Sequence, residues 1–159
     1  MEAPRPLNRR IADTIRHLEE DTDAWVATVD ENGNPRITPL SFLWFIERII
    51  VTTPQESPTG RNLVRNKQVR LAFGATRDVV MMDGTVTCYR AGAVPSEIGD
   101  TFAEKLWDAR REREPFGFYE IRPQRIQAWR EVNEIPGRTL MRGGSWLSQP
   151  AGWPADERS

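Results

Sequence analysis

The sequence predicts a small antiparallel β-barrel, mainly β, with helices at its periphery. Segments with strand character outnumber helical ones, most successive strands are close enough for hairpins, and the helical segments are inserted between strand pairs. The chain has 159 residues, of which 38% are apolar and 28% charged. That length and balance are typical of one globular domain with a single core.

Three segments carry helical signals. Apolar residues at helical spacing predict a first helix over Pro6–Glu20. A polar loop with two prolines then leads into a short helix over Gly60–Asn66. The sequence Pro95-Ser96-Glu97 begins the third helix, Val94–Glu112, since proline and an acidic residue favour a helix start. The apolar face of the first helix comprises Leu7, Ile11, Ile15 and Leu18.

Seven segments have the alternation or β-branched content of strands. Turn residues at 30–34 predict a tight hairpin between the first two. Asp83-Gly84 predicts a bend or bulge inside the fifth, and Arg122-Pro123 predicts a turn between the last two. The predicted strands are Ala24–Val29, Arg36–Phe45, Ile49–Thr53, Gln68–Gly74, Arg77–Cys88, Phe116–Ile121 and Arg125–Trp129.

The domain organisation follows from these elements. Residues 1–22 are the N-terminal helix, and residues 23–147 form the barrel domain. The tail, residues 148–159, is rich in Gly, Pro and Ser, which predicts partial disorder that covers Pro154–Ser159.

Composition excludes several classes of function. The net charge of −1 argues against a nucleic-acid partner, because such proteins normally carry a basic excess. One cysteine and one histidine allow no intrachain disulfide and argue against a metal site. Cys88 follows an apolar run and reads as a small buried hydrophobe. No apolar run has transmembrane length and residues 1–10 lack a secretory core, so a cytoplasmic protein without a membrane partner is expected.

The loop before the second helix is the first candidate site. Thr52 and Thr53 end a strand, and Ser57 and Thr59 precede a helix whose N-terminus could bind phosphate with help from Arg61 or Arg65. Ser and Thr also cap most helix starts, and the residue types alone favour a cap.

Two further segments could contact a flat ligand. Pro39 interrupts the second strand, which leaves neighbouring backbone groups for a ligand edge or marks an ordinary edge strand. The C-terminal stretch has two tryptophans and three arginines that could clamp an anionic aromatic ligand or form a dimer interface: Trp129, Arg130, Arg138, Arg142 and Trp146. The chain has no nucleophile motif and no glycine-rich nucleotide motif, so no catalytic residue is assigned.

In order and spacing, these segments resemble the pyridoxamine 5′-phosphate oxidase-like family of flavin-binding split barrels. The resemblance covers roughly Asp23 to Arg130. The segments that carry it are Trp25–Asp30 with Gly33 and Pro35, Thr38-Pro39-Leu40, Val51-Thr52-Thr53, Arg61-Asn62-Leu63, Asp78–Gly84 and Arg122–Arg130.

The resemblance implies a split β-barrel of the FMN-binding type. It also implies an oxidoreductase that works as a homodimer on a small conjugated substrate, with FMN or the deazaflavin coenzyme F-420 as cofactor. The strand Arg36–Leu40, with Thr38 and Pro39, would then contact the isoalloxazine ring. Trp129 and Arg138 would reach the flavin bound mainly by the other subunit. The residues implied around the phosphate and ribityl chain are Thr52, Thr53, Ser57, Thr59 and Asn62, with Arg61 as a cation.

Two departures from the family pattern affect the expected phosphate binding and the expected activity. The phosphate loop reads Pro58-Thr59 where the family has cations, so Arg61 or Arg65 substitutes or phosphate affinity is weak. Leu43 stands where pyridoxamine phosphate oxidases carry a lysine, which predicts a related activity rather than that oxidase. The alternative is a flavin-binding store or sensor without turnover.

Overall fold

A computed structural model describes residues 1–152 of the chain. The predicted disorder of Pro154–Ser159 lies outside these residues. The helices are α1 (Leu7–Glu20), α2 (Pro58–Arg65) and α3 (Ser96–Lys105). The strands are β1 (Asp23–Val29), β2 (Pro35–Phe45), β3 (Arg48–Pro54), β4 (Gln68–Phe73), β5 (Val79–Tyr89), β6 (Phe116–Trp129), β7 (Thr139–Arg142) and β8 (Ser145–Trp146).

The strands form one antiparallel sheet that closes on itself. Their order is β3-β2-β1-β4-β5-β6-β7-β8, and β3 also pairs with β6. Strands β1–β6 therefore make a six-stranded barrel, and the β7–β8 hairpin extends from β6. Ile11 and Leu18 of α1 are fully buried against the barrel core. The predicted antiparallel split barrel with peripheral helices is confirmed.

The barrel is split along one edge of β2. This strand pairs with β1 from Pro35 to Ser41, but with β3 only from Phe42 to Phe45. Among residues 1–152, the second edge of the first half of β2 therefore has no strand partner. Helix α2 lies beside that open edge.

The closing strand differs from the prediction. Phe116–Trp129 is one continuous strand, not two strands separated by a turn at Arg122-Pro123. Asp83 pairs with Arg125 and Gly84 with Pro123, so Gln124 is the extra residue of a bulge. A bulge tolerates proline in a strand because its missing N–H is not needed in the ladder there. The predicted irregularity at Asp83-Gly84 is confirmed.

The other differences concern the ends of elements. The third helix ends at Lys105, and only a 3₁₀ turn at Ala109–Arg111 follows. The second helix begins at Pro58, because proline fits the first turn of a helix. The β7–β8 hairpin was not predicted. No helix among residues 1–152 has the length and hydropathy to span a bilayer.

Candidate functional site

Helix α2 meets the open edge of β2 through three of the predicted site residues. The Arg36 Nε donates a hydrogen bond to Thr59 Oγ1 at 3.1 Å. The hydroxyls of Thr38 and Thr59 are 3.2 Å apart. Thr59 is buried, whereas Arg36 is exposed. A guanidinium from β2 thus lies at the loop position that has no cation of its own in the sequence.

Ser57 caps α2. Its Oγ accepts the Gly60 N–H at 3.0 Å, and its carbonyl accepts the Arg61 N–H at 2.9 Å. The Thr53 hydroxyl lies 3.3 Å from the same Oγ. The cap that the residue types favour is confirmed. Since it satisfies two amides of the first turn, an anion here would depend mainly on side-chain donors.

Two other predicted residues hold the framework together. Asn62 Nδ2 donates to Thr28 Oγ1 at 3.1 Å, and this bond ties α2 to β1. The Thr52 hydroxyl donates to the Gly117 carbonyl at 2.7 Å, across the β3–β6 seam. Both side chains are buried. The first bond fixes α2 relative to the barrel, and the second joins the two strands that close it.

A polar cavity of about 530 Å³ opens between α2 and the β1–β2 turn. Arg36, Arg61 and Arg65 bring three positive charges to it, against the carboxylates of Asp30 and Glu31. Three arginines beside the start of α2 are a donor set that suits a phosphate.

Both carboxylate oxygens of Asp30 accept hydrogen bonds from residues of the β1–β2 turn. Oδ1 accepts the N–H groups of Asn32 and Asn34, and Oδ2 accepts from the Asn34 side chain. The hydrogen bond from the Asn34 side chain is the largest cause that lowers the pKa of Asp30. This acid therefore stabilises the hairpin, and its hydrogen bonds are made within the turn rather than to the arginines of the cavity. The sequence identifies a turn at Asp30 but gives no signal that the turn borders a cavity.

The remaining predicted residues lie elsewhere. Pro39 is exposed on the outer face of β2, opposite Trp25, and Leu40 packs against the core. Trp129 pairs with Val79 at one end of β6, whereas Gly117, which pairs with Thr53, lies at the other. Arg138 donates to the Ile135 carbonyl at 3.1 Å. One chain therefore does not bring Trp129 and Arg138 to the α2 cavity.

The described part of the chain, residues 1–152, contains no group of three or more His, Cys, Asp or Glu side chains arranged to hold a metal ion.

Comparison with protein families gives one match. Residues 11–130 match the model of the family described as pyridoxamine 5′-phosphate oxidase. No curated protein matches the sequence. The matched residues include all six barrel strands, since β1 begins at Asp23 and β6 ends at Trp129.

Several solved structures share the fold. One is described as a putative pyridoxamine 5′-phosphate oxidase from Listeria innocua (TM-score 0.60, 16% identity, covering 77% of this chain and 98% of that chain). A second is described as an F420 reductase (TM-score 0.54, 19% identity, 70% and 93%). A third is HutZ, described as a heme storage protein from Vibrio cholerae (TM-score 0.65, 15% identity, 86% and 99%). At these identities the likeness concerns the fold alone.

Proposed function

The chain belongs to the pyridoxamine 5′-phosphate oxidase family, and from that premise we propose that it is an oxidoreductase with FMN or the deazaflavin coenzyme F-420 as cofactor. The cofactor phosphate would lie in the cavity between α2 and the β1–β2 turn. Its substrate would be a small conjugated molecule.

The observation that carries this proposal is the contact between Arg36 and Thr59. The loop has no cation at Pro58-Thr59, but the Arg36 guanidinium reaches Thr59 Oγ1 from β2. Only its Nε is used in that bond, so its terminal nitrogens are available for phosphate oxygens. Arg61 lines the same cavity. The charge missing from the loop would therefore come from β2 and from α2.

The residues around the cavity have distinct tasks. Arg36 and Arg61 would neutralise the phosphate, and the hydroxyls of Ser57 and Thr59 would donate to it. The open edge of β2 offers backbone donors and acceptors to a flat heterocycle. When bound, a flavin or deazaflavin supplies hydride transfer, and the protein supplies position and exclusion of water.

The heme-storage neighbour suggests another ligand, but the histidine of this chain gives it little support. Heme iron is commonly held by a histidine. Here His17 Nδ1 lies 3.0 Å from Asp21 Oδ2, and Nε2 lies 3.0 Å from Asp78 Oδ2. Both ring nitrogens are occupied, so the phosphate-suited cavity gives the flavin proposal the stronger support.

The proposal is tested by adding cofactors to the purified protein. We expect FMN or coenzyme F-420 to bind more tightly than riboflavin, because riboflavin lacks the phosphate. With FMN bound, anaerobic NADPH or reduced F-420 should bleach the flavin absorbance band. Binding without reduction by either donor would favour the store or sensor reading, and no binding of any of the three would contradict the proposal.

Substitution of Arg36 separates the phosphate contact from the ring contact. We expect Arg36→Gln to weaken FMN binding about tenfold, because a charged hydrogen bond is lost, and to leave riboflavin binding unchanged. Equilibrium dialysis measures both affinities. Arg111→Gln is the matched control, since Arg111 is exposed, pairs with Asp108 and does not line the cavity between α2 and the β1–β2 turn. An equal loss for FMN and riboflavin would show that Arg36 does not contact the phosphate.

We also propose that the protein works as a homodimer. Trp25 and Ile37 are 50% and 64% exposed and lie on one outer face of β1 and β2, because Trp25 pairs with Pro39 and Ala27 with Ile37. Exposed neighbouring apolar side chains are typical of a protein interface. A partner subunit could also bring Trp129 and Arg138 to the cofactor.

A charge on this face is expected to break the dimer. Ile37→Asp should convert a dimer into a monomer in sedimentation velocity, because an unpaired carboxylate is costly to bury. The control is Val132→Asp, at an exposed apolar residue in a 3₁₀ turn away from this face. A monomeric wild-type protein, or a dimer that persists in Ile37→Asp, would contradict this interface.

A further inference from the structure

A second cavity lies on the other side of α2, between this helix and the ends of β5 and β6. Its volume is about 280 Å³ and its surface is mainly apolar. Cys88, Val64 and Gly117 contribute to its walls, and the loop before α2 closes one side. The Gln55 side chain accepts the Ala91 N–H at 3.1 Å and holds that loop against the end of β5.

Tyr119 lines this cavity. The residue is 1% exposed, and its hydroxyl makes no hydrogen bond to any other described residue of the chain. Burial raises the pKa of Tyr119 to about 12, so it keeps its proton at neutral pH. Tyr119 is not among the described side chains with a fully buried polar atom that lacks a partner, so its hydroxyl is accessible to a water or a ligand that can hydrogen-bond it.

Two glycines make room for this hydroxyl. A Cβ at Gly60 of α2 would lie 2.9 Å from the Tyr119 oxygen, and one at Gly117 would lie 2.6 Å from it. Any side chain at these positions would therefore press on the hydroxyl. The backbone of both elements leaves the end of the ring open to the cavity.

The mouth of the cavity is positively charged. Arg61, Arg65 and Arg90 line it and are exposed, whereas Glu56 is the one acidic side chain among the lining residues. Lys67 Nζ lies 3.4 Å from Cys88 Sγ and adds a fourth cation nearby. An anionic group would be attracted to this end, and an apolar body would fill the interior.

We propose that this cavity binds a small planar monocarboxylate, with the carboxylate at the arginines of the mouth and a polar group opposite that hydrogen-bonds the Tyr119 hydroxyl. An aromatic ring between the two groups matches the apolar walls and the small volume. The two cavities share Arg61 and Arg65 at their mouths, but Tyr119, Cys88 and Arg90 line only this one.

The probes are 4-hydroxybenzoate, benzoate without the distal hydroxyl, and 4-hydroxybenzyl alcohol without the charge. Calorimetry should show that 4-hydroxybenzoate binds more tightly than benzoate and than 4-hydroxybenzyl alcohol. Cys88 gives a second readout, since it is the single cysteine of the chain and lines the cavity. We expect 4-hydroxybenzoate to slow its alkylation by N-ethylmaleimide severalfold.

Two variants test the two ends of the site separately. Arg90→Gln should weaken the binding of 4-hydroxybenzoate about tenfold and leave the binding of 4-hydroxybenzyl alcohol unchanged. Tyr119→Phe should weaken the binding of 4-hydroxybenzoate about fivefold and leave the binding of benzoate unchanged. Arg111→Gln, at an exposed arginine that does not line this cavity, should change neither.

Equal affinity for the three probes, or binding of 4-hydroxybenzoate without protection of Cys88, would overturn the proposal. Arg90 is exposed, so its variant should fold and keep the test decisive even where Tyr119→Phe does not. Failure of FMN to bind would leave this result unaffected, because the probes are added to protein without cofactor.

Discussion

Glu134→Ala is expected to lower the free energy of unfolding by about 3–5 kcal/mol, the usual cost of removing one partner from a buried ion pair. Glu134 is buried in a 3₁₀ turn after β6. Its two oxygens accept from Arg5 Nε and Arg5 NH2, both at 2.8 Å, and the Arg130 N–H donates to Oε2 at 2.9 Å. The substitution would leave the Arg5 guanidinium without its main partner. Urea denaturation measures the loss.

Arg10 increases the expected loss. This arginine is itself buried, and its Nε, 3.9 Å from Glu134 Oε2, is without a hydrogen bond in the described structure. Its NH1 donates to the carbonyls of Glu134 and Gly137, both at 3.0 Å. The carboxylate is therefore the nearest compensating charge for a buried cation on α1. Without it, the contact between α1 and the end of the barrel is weakened as well.

The matched control is Glu131→Ala, three residues earlier. Glu131 pairs with Arg77 at 3.1 Å, and both side chains are largely exposed. Exposed pairs contribute about 0–1 kcal/mol, so this variant should have nearly wild-type stability. Equal losses from the two variants would show that the buried position of Glu134 is unimportant.

The difference in unfolding free energy between the wild type and Glu134→Ala should depend on pH, which gives a second check. Hydrogen bonds from the Arg5 side chain lower the pKa of Glu134 from 4.5 to about 2. Because the folded pKa lies below the unfolded one, the stabilisation is complete above about pH 4.5 and is lost as pH falls towards 2. The gap in unfolding free energy between wild type and Glu134→Ala should therefore shrink over this interval. A gap that is constant from pH 7 to pH 3 would contradict the charged role of Glu134.

The barrel was predictable because its signals are local. Alternating apolar residues and the turn at Asp30-Gly33 identify β1 and β2 without knowledge of their neighbours, and the order of strands and helices then suggests closure. The bulge was predictable as well, because Asp83-Gly84 is a local turn signal inside a strand. Local signals failed at Arg122-Pro123, where pairing with β5 holds a turn-like dipeptide in one continuous strand.

The candidate site was predictable only in part. The hydroxyls near α2 follow one another in the sequence, so their proximity could be inferred. The contact of Arg36 with Thr59 joins residues that are 23 positions apart, and it depends on the split edge of β2, which no local pattern reveals. The open hydroxyl of Tyr119 likewise depends on two glycines from different elements, Gly60 and Gly117.

Gly84→Val is expected to lower the free energy of unfolding by about 3 kcal/mol, at the upper end of the usual cost of overpacking a core. A Cβ at Gly84 would lie 2.5 Å from Ile121 Cγ2 and 2.9 Å from the Arg122 carbonyl oxygen. Ile121 is fully buried, and the carbonyl belongs to the backbone of β6. Neither atom can withdraw without moving the strand that closes the barrel. Thermal and urea unfolding measure the cost.

A second glycine separates steric contact with backbone from contact with a mobile side chain. A Cβ at Gly99 of α3 would lie 2.6 Å from Arg110 NH1, which is as close, but the arginine side chain can turn away. Alanine is also favoured over glycine inside a helix by about 1 kcal/mol. Gly99→Ala should therefore be neutral or stabilising, whereas Gly84→Ala should already destabilise by about 1 kcal/mol or more. If both alanine variants unfold alike, the close approach of β5 and β6 at the bulge does not limit the residue at position 84.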